Sequence, residues 1–300
     1  MRIRYENVSA GSNSGPNHFS NKLKKYLERL DCHFTLTNQD VSLCFTQATM
    51  PKTSTLVQRM DGIWFNPAQD YKSMNTPFKQ TYEAADGVIY QSFFDQKLIE
   101  YQFGKHHNTT IINNGADLEL ISQLQPYDHK ILETAENVWC TASHFAGRHH
   151  KRLYENIRYF LEHSGNKDVL LIAGTIDFDN FKHPRIYYLG NLDISTLLSV
   201  FKRSKYFIHL ARLDHCPNVV VDARGAGCQI ICSNLGGTHE IAGEDAVVIE
   251  EEEWDYSPFD YNQPSKLDFT KKIKNTFNRD IDMTTVSKKY FNFLKETRNA

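Results

Sequence analysis

The chain of 300 residues allows about two domains at roughly 150 residues each, which excludes a disulfide-stapled miniprotein. Apolar residues make up 40%, unchanged when the 15 Tyr are exchanged for the 15 Gly, somewhat below the usual ~45–50% but far above a disordered chain. Lys and Arg total 34 against 36 Asp and Glu, a net charge of −2 with no global footprint for nucleic acid, and 15 Gly with 9 Pro leave little composition for linkers or low-complexity tails.

Met1–Val8 reads as a strand, and Phe19, Leu23, Tyr26, Leu27 and Leu30 then recur at the spacing of one face of an amphipathic helix. The turn between them is Ser9–Pro16. Strands follow at His33–Thr37, Val41–Phe45 and Thr55–Met60, then β-α-β units over Gly87–Gln91, Phe93–Phe103 and Thr109–Asn113, closing a first domain near residue 125. A strand at Asn137–Ala142 opens the second series, and Leu153, Ile157, Phe160 and Leu161 mark the next helical face. Further strands are expected at Asp168–Ala173, Ile186–Leu189, Tyr206–Leu210, Gln229–Cys232 and Ala246–Ile249, with a helix over Ile194–Phe201. Glu250–Glu253 with Trp254 reads as a solvated acidic loop, and Val286, Tyr290, Phe293 and Leu294 as a terminal amphipathic helix. Strands alternating with helices from end to end predict an α/β protein of two tandem Rossmann-like domains.

The six cysteines contain no CxxC pair and the start of the chain has no signal-peptide pattern, so a reducing, cytoplasmic setting is expected. No apolar run approaches the ~20 residues of a membrane span. Lys22, Lys24, Lys25 and Arg29 on the first helix leave two readings open, a peripheral membrane face or an ordinary solvated one. His149–His150 and His106–His107 lack the spacing of metal ligands, and no metal is expected.

The most informative stretch is His209–Glu240, HLARLDHCPNVVVDARGAGCQIICSNLGGTHE. Pro217 suits the first position of a helix, which would leave the N–H groups of Asn218 and Val219 at its positive end, where a phosphate can dock. Asp214 precedes this helix and Asp222 lies within it, so two carboxylates can flank one pocket at different depths.

This segment resembles the retaining glycosyltransferases of the GT-B architecture, the family-4-like group, whose hallmark is Glu-x7-Glu ahead of small residues and a Gly-Gly-x-x-Glu turn. The order here is Asp214, Asn218, Asp222, Ala223, Gly227, then Gly236, Gly237 and Glu240, with both acids one methylene shorter. The resemblance implies that Asp214 contacts the donor sugar, Asp222 the ribose, and the amides at Asn218 and Val219 the diphosphate. ASHFAGRHHKRL, Ala142–Leu153, resembles the basic segment that serves the diphosphate, with Lys151 aligned and Arg148 the nearest arginine. A positioned cation there stabilises the charge of a leaving diphosphate.

In the first half, the turn AGSNSGP with Gly15 and Pro16 resembles the family's glycine loop facing acceptor and diphosphate. VQRMDGIWFNP, Asn75, AADGVIYQSFFDQ and TIINNGAD resemble further landmarks of one branch, so the likeness spans nearly the whole chain. Asp61 falls where many members place an active-site His and is either an acceptor-side carboxylate or a turn-forming Asp-Gly. Asn114, Gly115 and Asp117 shape either the crevice between domains or a plain turn.

The resemblance implies two Rossmann-like domains, 1–125 and 126–285, facing across a cleft, with a terminal helix, 286–300, crossing back to the first. It implies transfer of a sugar from a nucleotide sugar, UDP- or GDP-linked, to a hydroxyl acceptor. Anomeric configuration would be retained and no metal or other cofactor used. Two alternatives stay open: a non-catalytic nucleotide or glycan binder of the same fold, and a sugar-nucleotide epimerase.

Overall fold

A computed structural model of the chain describes residues 1–9, 14–177 and 181–300. The middle of the glycine turn, residues 10–13, lies outside the described residues. The chain divides into two compact units. The first is Met1–Gly115 with Trp254–Asp260 and Asp280–Ala300, and the second is Ala116–Glu253 with Tyr261–Arg279.

The first unit runs β1 (Arg2–Glu6), α1 (Gly15–Glu28), β2 (His33–Phe34), β3 (Val41–Phe45), β4 (Thr55–Arg59), α2 (Tyr71–Ala84), β5 (Gly87–Tyr90), α3 (Phe93–Phe103) and β6 (Thr109–Ile111). These strands form one parallel sheet in the order β2-β1-β3-β4-β5-β6. β3 is buried at every position, Ser42 included, as expected of a strand in a sheet covered on both faces. Ser92 caps α3 by accepting from Asp95 N at 3.0 Å, while the Asp95 carboxylate accepts from Gln91 N at 3.1 Å, a close relative of the capping box.

The second unit runs α4 (Leu118–Gln123), β7 (Val138–Ala142), α5 (Leu153–His163), β8 (Val169–Ala173), β9 (Ile186–Gly190), α6 (Ile194–Arg203), β10 (Tyr206–His209), α7 (Asn218–Gly225), β11 (Gln229–Ser233), α8 (Thr238–Ile241), β12 (Val247–Ile249) and β13 (Lys272–Lys274). The sheet order is β13-β12-β11-β10-β7-β8-β9, parallel except for the edge strand β13. Trp139, Phe160, Leu170, Ile172, Ile208 and Ile231 meet in its core.

The last helix, α9 (Met283–Asn299), belongs to the first unit. Its Met283, Val286, Tyr290 and Leu294 join Phe19, Leu23 and Leu27 of α1 and Val57 of β4 in one cluster.

Several expectations are corrected. The division falls between Gly115 and Ala116 rather than near 125. Lys202 of α6 donates to the carbonyls of Ile121 and Leu124 at 2.9 and 2.5 Å, and Gly225 of α7 abuts Ala116 and Leu118, which ties α4 to the second unit. Lys22 is no part of a basic surface, because its stem is buried in α1 and its ammonium donates to Gly115 O at 2.7 Å. All six cysteines are free and buried. Among the described residues, no helix is long and apolar enough to cross a membrane.

Candidate active site

In the second sheet, the chain winds outward from β7 through β8 to β9 and outward the other way from β10 through β11 to β12. Loops after β7 and β10 therefore diverge, and the crevice outside their carboxyl ends is where open α/β sheets bind ligands. Both segments singled out for the donor, Ala142–Leu153 and His209–Glu240, leave the sheet at this edge.

After β7 the chain makes a 3-10 turn, His149–Lys151, and then a left-handed residue, Arg152, at φ 51°. Arg152 is fully buried and pairs with Glu251 through two 2.7 Å hydrogen bonds, and its guanidinium also donates to Leu210 O at 3.3 Å. Arg212 N donates to His150 O at 2.8 Å. These contacts stitch the loop after β7 to the loop after β10. They also correct the acidic run: Glu251 is 6% exposed, the counter-ion of a buried arginine, rather than part of a solvated loop.

The stitched loops bring Lys151 and Asp214 together. Lys151 Nζ lies 2.5 Å from Asp214 Oδ2, with side chains 13% and 16% exposed. His209, the last residue of β10, places Nε2 2.9 Å from the same oxygen. Burial alone would raise the Asp214 pKa, but Lys151 and His209 outweigh it and hold the carboxyl well below the usual carboxylate range. Burial pushes the His209 pKa down, against the pull of Asp214, and since an ionised carboxylate only accepts, the ring meets it as an Nε2–H donor. His150 is likewise lowered to about 4, by burial first and the Lys151 charge second.

Asp214 is fixed from its other side by the Gly-Gly turn. Its backbone bridges Gly236 in parallel, and its carbonyl accepts from Gly237 N at 2.7 Å. Gly236 stands at φ +118°, and a Cβ there would sit 2.8 Å from Asp214 O, so only glycine lets the two backbones approach.

Pro217 occupies the cap position with ψ 124°, one residue ahead of its expected place. Asn218 and Val219 are accordingly the first two residues of α7, and Asp222, 4% exposed, lies in the following turn of this helix. Arg148 is exposed at the head of the 3-10 turn. Lys151, Asp214, Arg148, Asn218, Val219 and Asp222 thus all follow β7 or β10 in one unit.

Asp61 and Gly15 belong to the other unit. Gly15 opens α1. Asp61 Oδ1 pairs with Arg59 and accepts from Gln91 Nε2 at 2.7 Å. Arg59, fully buried, also donates to Tyr290 Oη of α9 at 3.0 Å and to Asn114 Oδ1 at 2.7 Å, with its guanidinium 4.3 Å from the Phe19 ring centre. Burial would lower its pKa, and Asp61 and Tyr290 more than reverse this. Asn114 therefore belongs to a buried network, Gly115 receives Lys22, and Asp117 caps α4 by accepting from Leu120 N at 3.0 Å.

His209, Arg59 and Glu251 are the residues that sequence reasoning missed. Among the described residues, no group of His, Cys, Asp and Glu is arranged to hold a metal ion.

Known structures match this architecture over its full length. HepE from Anabaena, solved with UDP and glucose, superposes with a TM-score of 0.67 at 15% identity, covering 99% of this chain and 100% of that one. The fold is GT-B. AviGT4, a glycosyltransferase involved in avilamycin A biosynthesis, gives 0.63 at 11% identity over 100% and 98% of the two chains. Sucrose-phosphate synthase from Thermosynechococcus elongatus gives 0.61 at 13% identity over 87% of each. By sequence, no family model matches the chain and no curated protein is detectably similar to it.

Proposed function

We propose that this chain is a glycosyltransferase that moves a sugar from a nucleotide-sugar donor to a hydroxyl acceptor, with retention at the anomeric carbon and without a metal. The observation that carries the reading is the convergence of Lys151 and His209 on Asp214 at the edge where β7 and β10 diverge. A buried carboxylate held ionised beside a lysine suits a donor that presents hydroxyls on one side and a diphosphate on the other. HepE, of the same fold, has been solved with UDP and with UDP-glucose, which supports a UDP-linked donor over a GDP-linked one.

In this reading Asp214 binds hydroxyls of the donor sugar and Asp222 the ribose. Lys151, Arg148 and the amides of Asn218 and Val219 hold the diphosphate, where positive charge lowers the barrier as the leaving group gains negative charge. The acceptor oxygen attacks C1 from the face that the diphosphate leaves. The C1–O bond to the diphosphate breaks, the C1–O bond to the acceptor forms, and the acceptor proton passes to a diphosphate oxygen. Gly15 lies on the acceptor-side turn. Asp61 orients the acceptor hydroxyl rather than taking its proton, because protonating it would leave the Arg59 guanidinium buried without a counter-charge.

Calorimetric titration with UDP, GDP, ADP and their sugar conjugates tests the reading. Binding of one nucleotide, weakened about tenfold or more in Asp222→Ala, is the expected result, and NMR of the glycoside product should show the donor's anomeric configuration. A chain that binds none of these compounds is not a transferase of this kind.

A further inference from the structure

Asp214 receives two donors on one oxygen, and they differ in freedom. Lys151 carries its ammonium on a flexible four-carbon stem. His209 cannot move in the same way: it ends a sheet strand, pairs with Cys232 of β11, is 3% exposed, and stacks on Phe207 with ring planes 12° apart. If Lys151 serves the diphosphate, as the proposed function requires, its charge is claimed by two anions in turn. Releasing it from Asp214 leaves a largely buried carboxylate, which is costly unless another donor stays in place.

We infer that His209 is a positioning residue whose Nε2–H keeps Asp214 oriented and satisfied while Lys151 turns from the carboxylate to the diphosphate of a bound nucleotide. The inference rests on the proposed function and gives its donor site a moving part. Lys151 is the ammonium paired with Asp214 before ligand arrives, at 2.5 Å. Other titratable groups near the cluster include His150 and Arg148 on the loop after β7, Cys232 opposite His209 on β11, and Arg212 and His215 next to Asp214 in the chain.

Titration of the full chain with UDP separates the outcomes. In His209→Phe, which keeps the ring volume but loses the donor, Lys151 stays on Asp214 and UDP affinity falls about tenfold, the scale of one charge-assisted hydrogen bond. His209→Gln retains an N–H and binds within about threefold of the parent. Adding Asp214→Asn to His209→Phe frees Lys151 and restores UDP affinity, although sugar transfer stays lost. Equal UDP binding by His209→Phe and the parent overturns the inference, as does a double variant no tighter than His209→Phe alone. A parent chain that binds no nucleotide overturns the proposed function itself. If His209→Phe does not fold, 15N NMR of the parent decides: His209 should be the neutral Nε2–H tautomer above the free histidine value of ~6.5, with the Lys151 ammonium signal shifting on UDP addition. An Nδ1–H tautomer, or a Lys151 signal indifferent to UDP, refutes it.

Discussion

Gly236 and Asp214 are paired backbone to backbone, and a Cβ on the glycine would meet the Asp214 carbonyl at 2.8 Å. Gly236→Ala should therefore destabilise the chain by about 1–3 kcal/mol and weaken nucleotide-sugar binding by shifting Asp214. Gly227→Ala is the control, since Gly227 also has positive φ, +99°, but nothing lies within 4 Å of its Cβ position. Denaturant unfolding that finds the two variants equally stable would show that the close approach carries no constraint.

Replacing Lys151 by Met removes the principal counter-charge of Asp214, with an expected loss of about 2 kcal/mol at neutral pH together with weaker UDP binding. The folded-state pKa of Asp214 is depressed, so its contribution to stability is full above the unfolded value near ~3.9 and is lost as pH falls through the folded one. The gap in unfolding free energy between parent and variant should be widest near neutrality and narrow below about pH 4. A gap that does not change with pH would mean that the pair contributes nothing electrostatic.

Glu251→Gln leaves Arg152 fully buried with a neutral partner. A loss of about 3–5 kcal/mol is expected, read as a lower midpoint in urea. Glu252→Gln, at an exposed position of the same run, should stay within about 0.5 kcal/mol. Similar effects at both sites would return the run to the status of a solvated loop.

Asp61→Asn should leave donor affinity unchanged and slow transfer. It should also lower the melting temperature, because Arg59 keeps its charge in the core. A variant with parental turnover would confine Asp61 to the Arg59 network.

The parallel strands were legible because every residue of β7 and β8 is buried, which fills both with apolar residues apart from Thr141. Helix α2 was not. It carries Pro77 in its interior, a helix breaker in a bare sequence, and its most buried residues, Asn75, Thr81 and Tyr82, carry polar groups. Strand β13 is exposed at all three positions and guarded by Lys272 and Lys274, the composition of an edge rather than a core strand. At the site, the Asp214 and Lys151 candidates were visible through their motifs, and the structure pairs them. His209 read as one more strand residue, since its role depends on which way a strand end faces. Glu251 was indistinguishable from its acidic neighbours until Arg152, distant in sequence, selected it.

The chain passes between its two units at residue 115, at 253, at 260 and at 279, so neither unit is a continuous stretch of sequence. During synthesis the first sheet emerges early but lacks α9, whose Tyr290 is a partner of the buried Arg59. The opening half of the protein therefore leaves the ribosome with an unfinished core, which waits for α9 until after the last strand of the second sheet, β13, has been made. Expression of residues 1–115 alone would reproduce that vulnerable intermediate, whereas the same fragment supplied with a peptide spanning 280–300 would be complemented.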